Sequence, residues 1–392
     1  MTKYIVLIGD GMSDLPLKQL GGKTPLEAAK TPNLDFLAQN GTCGWTNNVP
    51  VGMEPGSDVA ATSIFGYNPK TAYTGRGPLE AASLGVKLRP DEIAFRCNLI
   101  TIAGGKMKDF TAGHIATAEA ARVFKKLNSG IGNSKIKFYP GLSYRNLLVI
   151  GEKEEKGLEK VLTIPPHDIT GKKINSYLPK SNLLLQLMNE SEVLCHDIKT
   201  KATMIWPWGQ GKRPKLQAFK QKYGKKAAVI TAVHLLKGLG KILGMEVINV
   251  PGATGYLDTN YKGKAEYAIR ALKRNDVVFL HVEAPDEAGH EGDVKKKIKA
   301  IEDFDRLVVG TILLRITHYP LPITRLLVLP DHPTPIKYMT HTRDDVPFVV
   351  YDKGNSGIGS RGIAYNERAI KKSKLKIKDG YKLLGEFLGG KI

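Results

Sequence analysis

The chain has 392 residues, and 58 lysine and arginine residues against 38 aspartate and glutamate residues give it a net charge of +20. Its content of 42% hydrophobic and 24% charged residues is typical of globular proteins, which excludes a disordered chain, a collagen and a small disulfide scaffold. The three cysteines, Cys43, Cys97 and Cys195, are too few and too widely spaced to predict a disulfide framework or a cysteine-based zinc site.

The sequence also argues against a membrane protein and a nucleic-acid-binding protein. The apolar run 307–314 ends at Arg315, far short of the roughly 20 residues of a membrane span. The lysines lie in short scattered groups without interleaved aromatic residues, which favours solvated surfaces over a nucleic-acid interface. A positive field also attracts small anions. We therefore expect a cytoplasmic protein with an anionic substrate, and the sequence leaves a homo-oligomer open.

Short apolar runs followed by turn residues recur along the chain. In order they cover residues 4–8, 277–282, 325–329 and 348–351. Continuous apolar runs of this length are typical of strands buried on both faces. We therefore predict an α/β fold with a central, mostly parallel sheet covered by helices.

The middle of the chain has a different pattern. It contains the strand-like pieces 93–101, 135–139 and 146–151, but no aspartate follows them. We predict that residues 90–194 form a smaller inserted α+β domain. Residues 1–89 and 195–392 would then form a discontinuous core domain.

Three of the apolar runs are followed by an aspartate: Asp10, Asp286 after a short turn, and Asp331. In open α/β sheets, ligands bind outside the carboxyl ends of the strands. Three carboxylates at one edge repel one another unless cations lie between them. The pattern therefore predicts a metal site at this edge.

Nearby histidines complete a candidate ligand set. Asp286 and His290 are four residues apart, so a helix would place both on one face. Six ligands are enough for two cations of the kind that clamp a phosphoryl group, and carboxylate with imidazole suits Mn²⁺ or Zn²⁺, with Mg²⁺ at the carboxylate-rich half. Each residue alone could be a helix cap or a structural histidine, but three strand ends share the pattern. The candidate ligands are Asp10, Asp286, His290, Asp331, His332 and His341.

Ser57 is the candidate nucleophile. It lies in the segment PGSDVA, just ahead of a predicted helix at residues 59–65. Serine is favoured as a helix N-cap, which is one interpretation. A helix N-terminus also favours an anion such as a phosphoserine, and a bound cation would activate the hydroxyl. The sequence leaves both interpretations open.

Arginines and histidines supply the other candidate groups. A guanidinium matches carboxylates and phosphates bidentately. The arginine candidates are Arg76, Arg96 and Arg145. The acid–base candidates are His114, and His167 with Asp168.

Eight segments of five to eight residues carry a resemblance: KTPLEAA (23–29), KTPNLD (30–35), PGSDVA (55–60), YTGRGPLE (73–80), WPWGQG (206–211), PGATG (251–255), EAPDEAGH (283–290) and DHPTP (331–335). In this order they resemble the cofactor-independent phosphoglycerate mutases of the archaeal type, which belong to the alkaline-phosphatase-like metalloenzymes. The resemblance covers nearly the whole chain.

The resemblance implies an alkaline-phosphatase-like core that holds two divalent metal ions, with a smaller domain inserted into it. In a mutase, the inserted residues 90–194 would bind substrate and act as a lid over the cleft. It implies interconversion of 2-phosphoglycerate and 3-phosphoglycerate in glycolysis and gluconeogenesis, through a phosphoserine on Ser57 and without 2,3-bisphosphoglycerate. We favour Mn²⁺ as the metal, with Zn²⁺, Co²⁺ or Mg²⁺ as alternatives.

The resemblance also assigns residues. One metal would be held by Asp286, His290 and His341. The other would be held by Asp10, Ser57, Asp331 and His332. The substrate-binding positions would be Arg76, Arg96, Arg145, His167, Asp168 and Lys237, with His114 as a further catalytic group. One departure from the family pattern is His234, where we expect an acidic residue.

Two alternatives are open at this stage. If the lid admitted water, the same site would make a metal-dependent phosphatase for a small phosphorylated metabolite. The net charge of +20 motivates a second alternative, a polyanion-binding protein on an inactive enzyme fold. The retained Asp, His and Ser set argues against the second.

Overall fold

The computed structural model describes residues 2–198, 200–318, 324–353 and 363–392. They form two compact units, Met1–Tyr73 with Leu216–Ile392, and Thr74–Lys215. Within the described ranges, no helix is long and apolar enough to cross a membrane.

Strands and helices alternate along the first unit, and the second unit contributes strands β3 to β7. In chain order the strands are β1 (Lys3–Gly9), β2 (Thr42–Thr46), β3 (Glu92–Ala103), β4 (Lys106–Asp109), β5 (Ile136–Leu142), β6 (Arg145–Gly151), β7 (Met204–Lys212), β8 (Ala227–Ile230), β9 (Glu246–Ile248), β10 (Val277–Val282), β11 (Thr324–Pro330), β12 (Val346–Asp352) and β13 (Lys376–Ile377).

The α-helices are α1 (Pro25–Ala28), α2 (Pro32–Asn40), α3 (Ser57–Ile64), α4 (Pro69–Ala72), α5 (Arg76–Ser83), α6 (Thr117–Ile131), α7 (Asn182–Ile198), α8 (Phe219–Tyr223), α9 (His234–Ile242), α10 (Tyr261–Ala271), α11 (Ala284–His290), α12 (Val294–Asp303), α13 (Gly310–His318), α14 (Glu367–Ile370) and α15 (Gly380–Leu388). A π-helical stretch, Phe304–Val309, joins α12 to α13. Short 3₁₀ helices cover Lys18–Leu20, Leu158–Lys160, Pro166–Ile169 and Ile174–Tyr177.

The first unit is built on an eight-stranded sheet in the order β13-β2-β12-β11-β1-β10-β8-β9. The five strands from β11 to β9 run parallel, whereas β12 is antiparallel to both β11 and β2. The prediction of a mostly parallel sheet is therefore confirmed.

The central strands are apolar throughout because side chains cover both faces of the sheet. Every residue of β10 and β11 is buried. Phe279 packs on one face against Phe65 and Phe219, with ring centroids 4.6 and 5.8 Å away. On the other face, Val278 and Leu280 belong to the large core that also contains residues of α10 and α12. Burial on two faces explains why these runs do not alternate.

The second unit contains a five-stranded antiparallel sheet in which β3 pairs with β4, β6 and β7, and β5 pairs with β6. Helices α6 and α7 supply core side chains such as Phe124 and Leu187. The unit is thus the second α+β body that the sequence predicts, but its bounds of 74 and 215 lie outside the predicted 90 and 194. The unit is larger than predicted at both ends, because helix α5 packs on β3 and strand β7 pairs with β3.

Candidate functional site

Three aspartates lie at the carboxyl ends of the three central strands of the first unit. Asp10 follows β1, Asp331 follows β11, and Asp286 lies in α11, which begins two residues after β10. The three strands end together because Gly9 pairs with both Val282 and Pro330. All three carboxylates are buried.

The first cluster of possible metal ligands comprises Asp286, His290 and His341. One helical turn of α11 brings His290 Nε2 to 3.2 Å from Asp286 Oδ2. His341, from the loop after β11, places its Nε2 at 3.5 Å from Asp286 Oδ1 and 2.9 Å from His290 Nε2.

Backbone carbonyls fix the tautomers of both histidines in this cluster. The Nδ1 atom of His290 lies 3.0 Å from the carbonyl oxygen of Met339, and the Nδ1 atom of His341 lies 3.2 Å from that of Pro55. Each Nδ1–H therefore donates outward, so that in the neutral ring the lone pair is on Nε2 and points into the cluster. This arrangement is usual for histidines that bind a metal.

The second cluster joins Asp10, Asp331, His332 and Ser57. The Nε2 atom of His332 is 3.6 Å from Asp10 Oδ1 and 3.4 Å from Asp331 Oδ2. The hydroxyl of Ser57 is 3.4 Å from the same Nε2 atom and 3.5 Å from each oxygen of Asp10. Donors that share a four-coordinate ion at about 2.1 Å stand about 3.4 Å apart. The donor set therefore fits a divalent metal ion.

Ser57 is the first residue of α3, and Gly56 is its N-cap. Because Gly56 occupies the N-cap position, Ser57 is not the cap, and its hydroxyl contacts Asp10 and His332 instead. The positive dipole end of a helix favours an anion, and Ser57 lies at that end of α3.

Gly11 and Thr334 connect the two clusters. The Gly11 amide donates to Asp331 Oδ1 over 3.0 Å, and its φ of +58° is in the left-handed region. A Cβ at Gly11 would lie 2.5 Å from Asp286 Oδ1. The Thr334 hydroxyl donates to the same Asp286 oxygen.

The titration of these groups reflects the crowding of carboxylates. Burial, together with Asp331 and Asp286, raises the pKa of Asp10 well above its usual value. Burial alone would raise the pKa of Asp286 as well, but the contacts with His290 and His341 outweigh it and lower that pKa. Negative charge in excess of the available cations again fits a metal site.

Sequence reasoning missed a polar chain behind Asp10. His281, inside β10, lies 3.3 Å from Asp10 Oδ2 through Nε2 and 3.3 Å from Glu283 Oε1 through Nδ1. Glu283 in turn pairs with Lys264 of α10, which is fully buried. Burial would lower the pKa of His281, but the facing Asp331 and Glu283 raise it to about 9. The only signal in the sequence is a histidine within an otherwise apolar strand.

In the second unit the predicted arginines gather around two aromatic rings. The guanidinium carbons of Arg76 and Arg96 lie 5.4 and 5.0 Å from the centroid of Trp208, and that of Arg145 lies 5.1 Å from the centroid of Tyr144. Sequence reasoning missed both aromatic residues as parts of the cluster.

Arg96 is largely enclosed, with 11% of its side chain exposed. Its Nη1 lies 3.5 Å from Glu80, and its buried Nε has no hydrogen-bond partner among the described residues. Burial lowers the pKa of Arg96 to about 10; Glu80 opposes this effect, and Arg76 and Arg145 add to it. A buried cation among like charges favours an anionic ligand.

The histidine candidates of this unit border the same aromatic residues. The ring of His167 contacts those of Trp208 and Phe110, with centroids 5.6 and 5.9 Å away, and its Nε2 lies 3.5 Å from Asp168. The exposed His114 has a φ of +52°, in the left-handed region that is uncommon for residues other than glycine. Such strain is often found at functional sites.

Lys237 belongs to the first unit and lies on α9. Its ammonium donates to Asn249 over 2.9 Å, and burial lowers its pKa. The unexpected His234 is the first residue of the same helix.

The family model and the similar proteins that match this chain carry the same family name. The family model described as 2,3-bisphosphoglycerate-independent phosphoglycerate mutase matches residues 38–200. A protein of that name from Methanosarcina barkeri is 51% identical, with 98% of each chain aligned. A protein from Geobacter sulfurreducens, named as a probable member, is 45% identical over 97% of this chain and 98% of its own.

Two solved structures resemble this chain over nearly its whole length. A protein from Pyrococcus horikoshii is 29% identical with a TM-score of 0.79, covering 99% of this chain and 97% of that one. A cofactor-independent phosphoglycerate mutase from Thermoplasma acidophilum is 25% identical with a TM-score of 0.67, and 99% of each chain is covered.

Proposed function

We propose, because the chain belongs to the family of 2,3-bisphosphoglycerate-independent phosphoglycerate mutases, that it interconverts 2-phosphoglycerate and 3-phosphoglycerate with no bisphosphoglycerate cofactor. The observation that carries the proposal is Ser57, whose hydroxyl stands 3.4–3.5 Å from His332 Nε2 and from both oxygens of Asp10. A nucleophile among metal-type donors suits phosphoryl transfer. We place the reaction in the cytoplasm, in glycolysis and gluconeogenesis.

Two divalent metal ions are part of the proposal. One would be held by Asp286, His290 and His341, and the other by Asp10, Ser57, Asp331 and His332. The mixed carboxylate and imidazole donors favour Mn²⁺, with Zn²⁺, Co²⁺ or Mg²⁺ as alternatives. When bound, these ions lower the pKa of a hydroxyl and neutralise phosphoryl charge.

In the proposed reaction, the Ser57 hydroxyl first releases its proton to solvent, and its oxygen forms a bond to phosphorus while the bond between phosphorus and the glycerate oxygen breaks. The departing oxygen takes a proton, for which we propose protonated His114 as the donor. The other hydroxyl of the same glycerate then returns its proton to His114 and attacks the phosphoserine, and the bond between phosphorus and Ser57 breaks, which restores the ionised Ser57 oxygen. The amides at the start of α3 stabilise the phosphoserine in both halves.

The second unit supplies the substrate contacts in this proposal. Arg76, Arg96 and Arg145 offer guanidinium groups to the carboxylate and the phosphate, alongside His167, Asp168 and, from the first unit, Lys237. A mutase must retain the glycerate while the glycerate reorients between the two phosphoryl transfers, and it must keep water from the phosphoserine. We assign both tasks to residues 74–215.

The test is to incubate the purified protein with 3-phosphoglycerate, without bisphosphoglycerate, after EDTA treatment and again after addition of Mn²⁺. Metal-dependent 2-phosphoglycerate with little free phosphate is the expected result. Ser57→Ala should abolish it. Ser63→Ala is the matched control, because that hydroxyl lies on the same helix and donates only to the Asn48 carbonyl, over 2.6 Å.

Other outcomes would replace the proposal. Free phosphate as the main product would mean a phosphatase. Absence of turnover with Mn²⁺, Zn²⁺, Co²⁺ and Mg²⁺ would overturn the enzymatic function for this substrate. A polyanion-binding function, motivated by the charge of +20, would then be tested through the salt dependence of binding.

A further inference from the structure

A continuous chain of buried polar groups runs from Asp10 to helix α10. His281 lies between Asp10 and Glu283, with 3.3 Å to a carboxylate oxygen on each side. Lys264 completes the chain, since its ammonium contacts Glu283 and also donates to the carbonyl of His281 over 3.0 Å. None of these four side chains is more than 3% exposed.

Such a chain is expensive to bury. Each charge removed from water costs several kcal/mol, and well-packed apolar residues of similar volume are often at least as stable. The other residues of β10 are valine, phenylalanine and leucine, so an apolar side chain at position 281 would suit the strand. The fold alone therefore gives no reason for the histidine.

The outer part of the chain is rigid. Glu283 Oε1 accepts hydrogen bonds from the Thr231 hydroxyl at 2.9 Å and from the Ala232 amide at 2.6 Å. Its other oxygen is held by Lys264. With Glu283 fixed in this way, the Nδ1 side of the His281 ring is fixed as well.

The inner end of the chain is less completely satisfied. His281 Nε2 and Asp331 Oδ2 are buried, lie 4.0 Å apart and have no aligned hydrogen-bond partner among the described residues. The contact of Nε2 with Asp10 Oδ2 leaves the Oδ1 atom of Asp10 facing His332. The ring thus faces two of the proposed metal ligands, and one ring nitrogen lies within 4.8 Å of a carboxylate oxygen of each. Its other nitrogen is engaged by Glu283, so His281 links these ligands to the polar network behind them.

We propose that His281 is a positioning residue of the second cluster, and that the network of Glu283, Lys264 and Thr231 holds its ring so that the Asp10 carboxylate keeps the orientation a metal ion requires. This inference rests on the proposed metal centre. Partners of ligands that act in this way typically change metal affinity by 10–100-fold when they are removed.

The experiment measures Mn²⁺ binding to the EDTA-treated full-length protein by electron paramagnetic resonance of the free ion. Wild type should bind two ions. His281→Leu should weaken one of them 10–100-fold and leave the other unchanged, whereas His281→Gln, which can keep an N–H group near Asp10, should lose less. In assays at saturating Mn²⁺, kcat should recover in both variants, because the defect lies in metal affinity.

Asp305→Asn is the matched control for burial. Asp305 is fully buried in the same unit and accepts hydrogen bonds from the amides of Asn33 and Leu34, so its loss should reduce stability alone. The inference is overturned if His281→Leu binds both ions as wild type does, or loses both ions together with thermal stability. Failure of wild type to bind Mn²⁺ would overturn the metal centre itself, which separates the two failures.

Discussion

The Nε2 atoms of His290 and His341 lie 2.9 Å apart, and both rings also face the carboxylate of Asp286. Two ring nitrogens at this distance need either a proton shared with the carboxylate or a cation between them. In the metal-free protein the proton dominates, because Asp286 overcomes the effect of burial and raises the pKa of His290 to about 9.

Metal binding should therefore compete with protons at His290. A metal ion binds the neutral His290 ring, which is the minor form below pH 9 and the major form above it. The Mn²⁺ affinity should therefore rise by up to about tenfold per pH unit between pH 6.5 and 9. Without metal the sign is opposite: the raised pKa stabilises the fold below pH 6.5, and this contribution is lost toward pH 9. Calorimetric titration in buffers of different ionisation enthalpy would measure the released proton. Affinity that is constant over this range would contradict the assignment.

Gly11→Ala should abolish metal binding and also destabilise the protein. The new Cβ would lie 2.5 Å from Asp286 Oδ1 and 2.7 Å from the Asp286 Cα atom, so both the ligand and its backbone must move. Gly21→Ala is the control, because Gly21 has a similar φ of +64° but nothing within 4 Å of a Cβ. Both variants should lose about 1 kcal/mol through the left-handed backbone, whereas only Gly11→Ala should lose a further ~1–3 kcal/mol through overpacking and lose Mn²⁺ binding. Equal Mn²⁺ affinities of the two variants would show that the close approach of Gly11 to Asp286 is not needed for metal binding.

Arg96→Ala should raise KM for 3-phosphoglycerate by roughly 10–100-fold, the usual size for a lost charged hydrogen bond. Trp208→Leu should raise KM by a smaller factor, because it removes the ring that Arg76 and Arg96 face, whereas Trp208→Phe should retain part of the effect. Arg89→Ala, which removes an exposed guanidinium paired with Asp91 and Glu92, is the control. Steady-state kinetics measure these KM values, and an unchanged KM in Arg96→Ala would rule out a role of Arg96 in substrate binding.

Lys297→Met should destabilise the protein by about 3–5 kcal/mol, the cost of leaving a buried charge unpaired. Lys297 and Asp14 form a 2.7 Å ion pair in which neither side chain is exposed. The exposed Lys299 pairs with Asp303, also at 2.7 Å, so Lys299→Met should change stability by less than about 1 kcal/mol. Urea denaturation of both variants tests the difference, and similar losses would contradict it.

The sequence predicts the features that local pattern controls. Unbroken apolar runs predict the central strands, and parallel pairing brings the following Asp10 and Asp331 to one edge. The four-residue spacing of Asp286 and His290 predicts their shared helical face, as α11 has it. For Ser57 the pattern allows a cap or a nucleophile; Gly56 occupies the N-cap position, so the cap interpretation does not apply, and the role as nucleophile stays a prediction.

Features that depend on distant pairing could not be predicted in this way. Arg96 meets Trp208 because β3 pairs with β7 more than 100 residues later in the chain. His281 lies in a strand that is otherwise apolar, where a sequence pattern indicates packing rather than polar contacts. The bounds of the inserted unit differ because α5 and β7 carry no local signal of the body they join.

The proposed metal centre has a consequence for how the protein folds. Its donors come from distant parts of the chain, as the contact between Gly11 and Asp331 across 320 positions illustrates. Contacts of such long range form slowly, so the chain must close most of the parallel sheet before any ion can be captured. Until then the converging carboxylates repel one another, and the sheet must assemble against that repulsion. Metal supply during synthesis would therefore act on the yield of folded protein as well as on its activity.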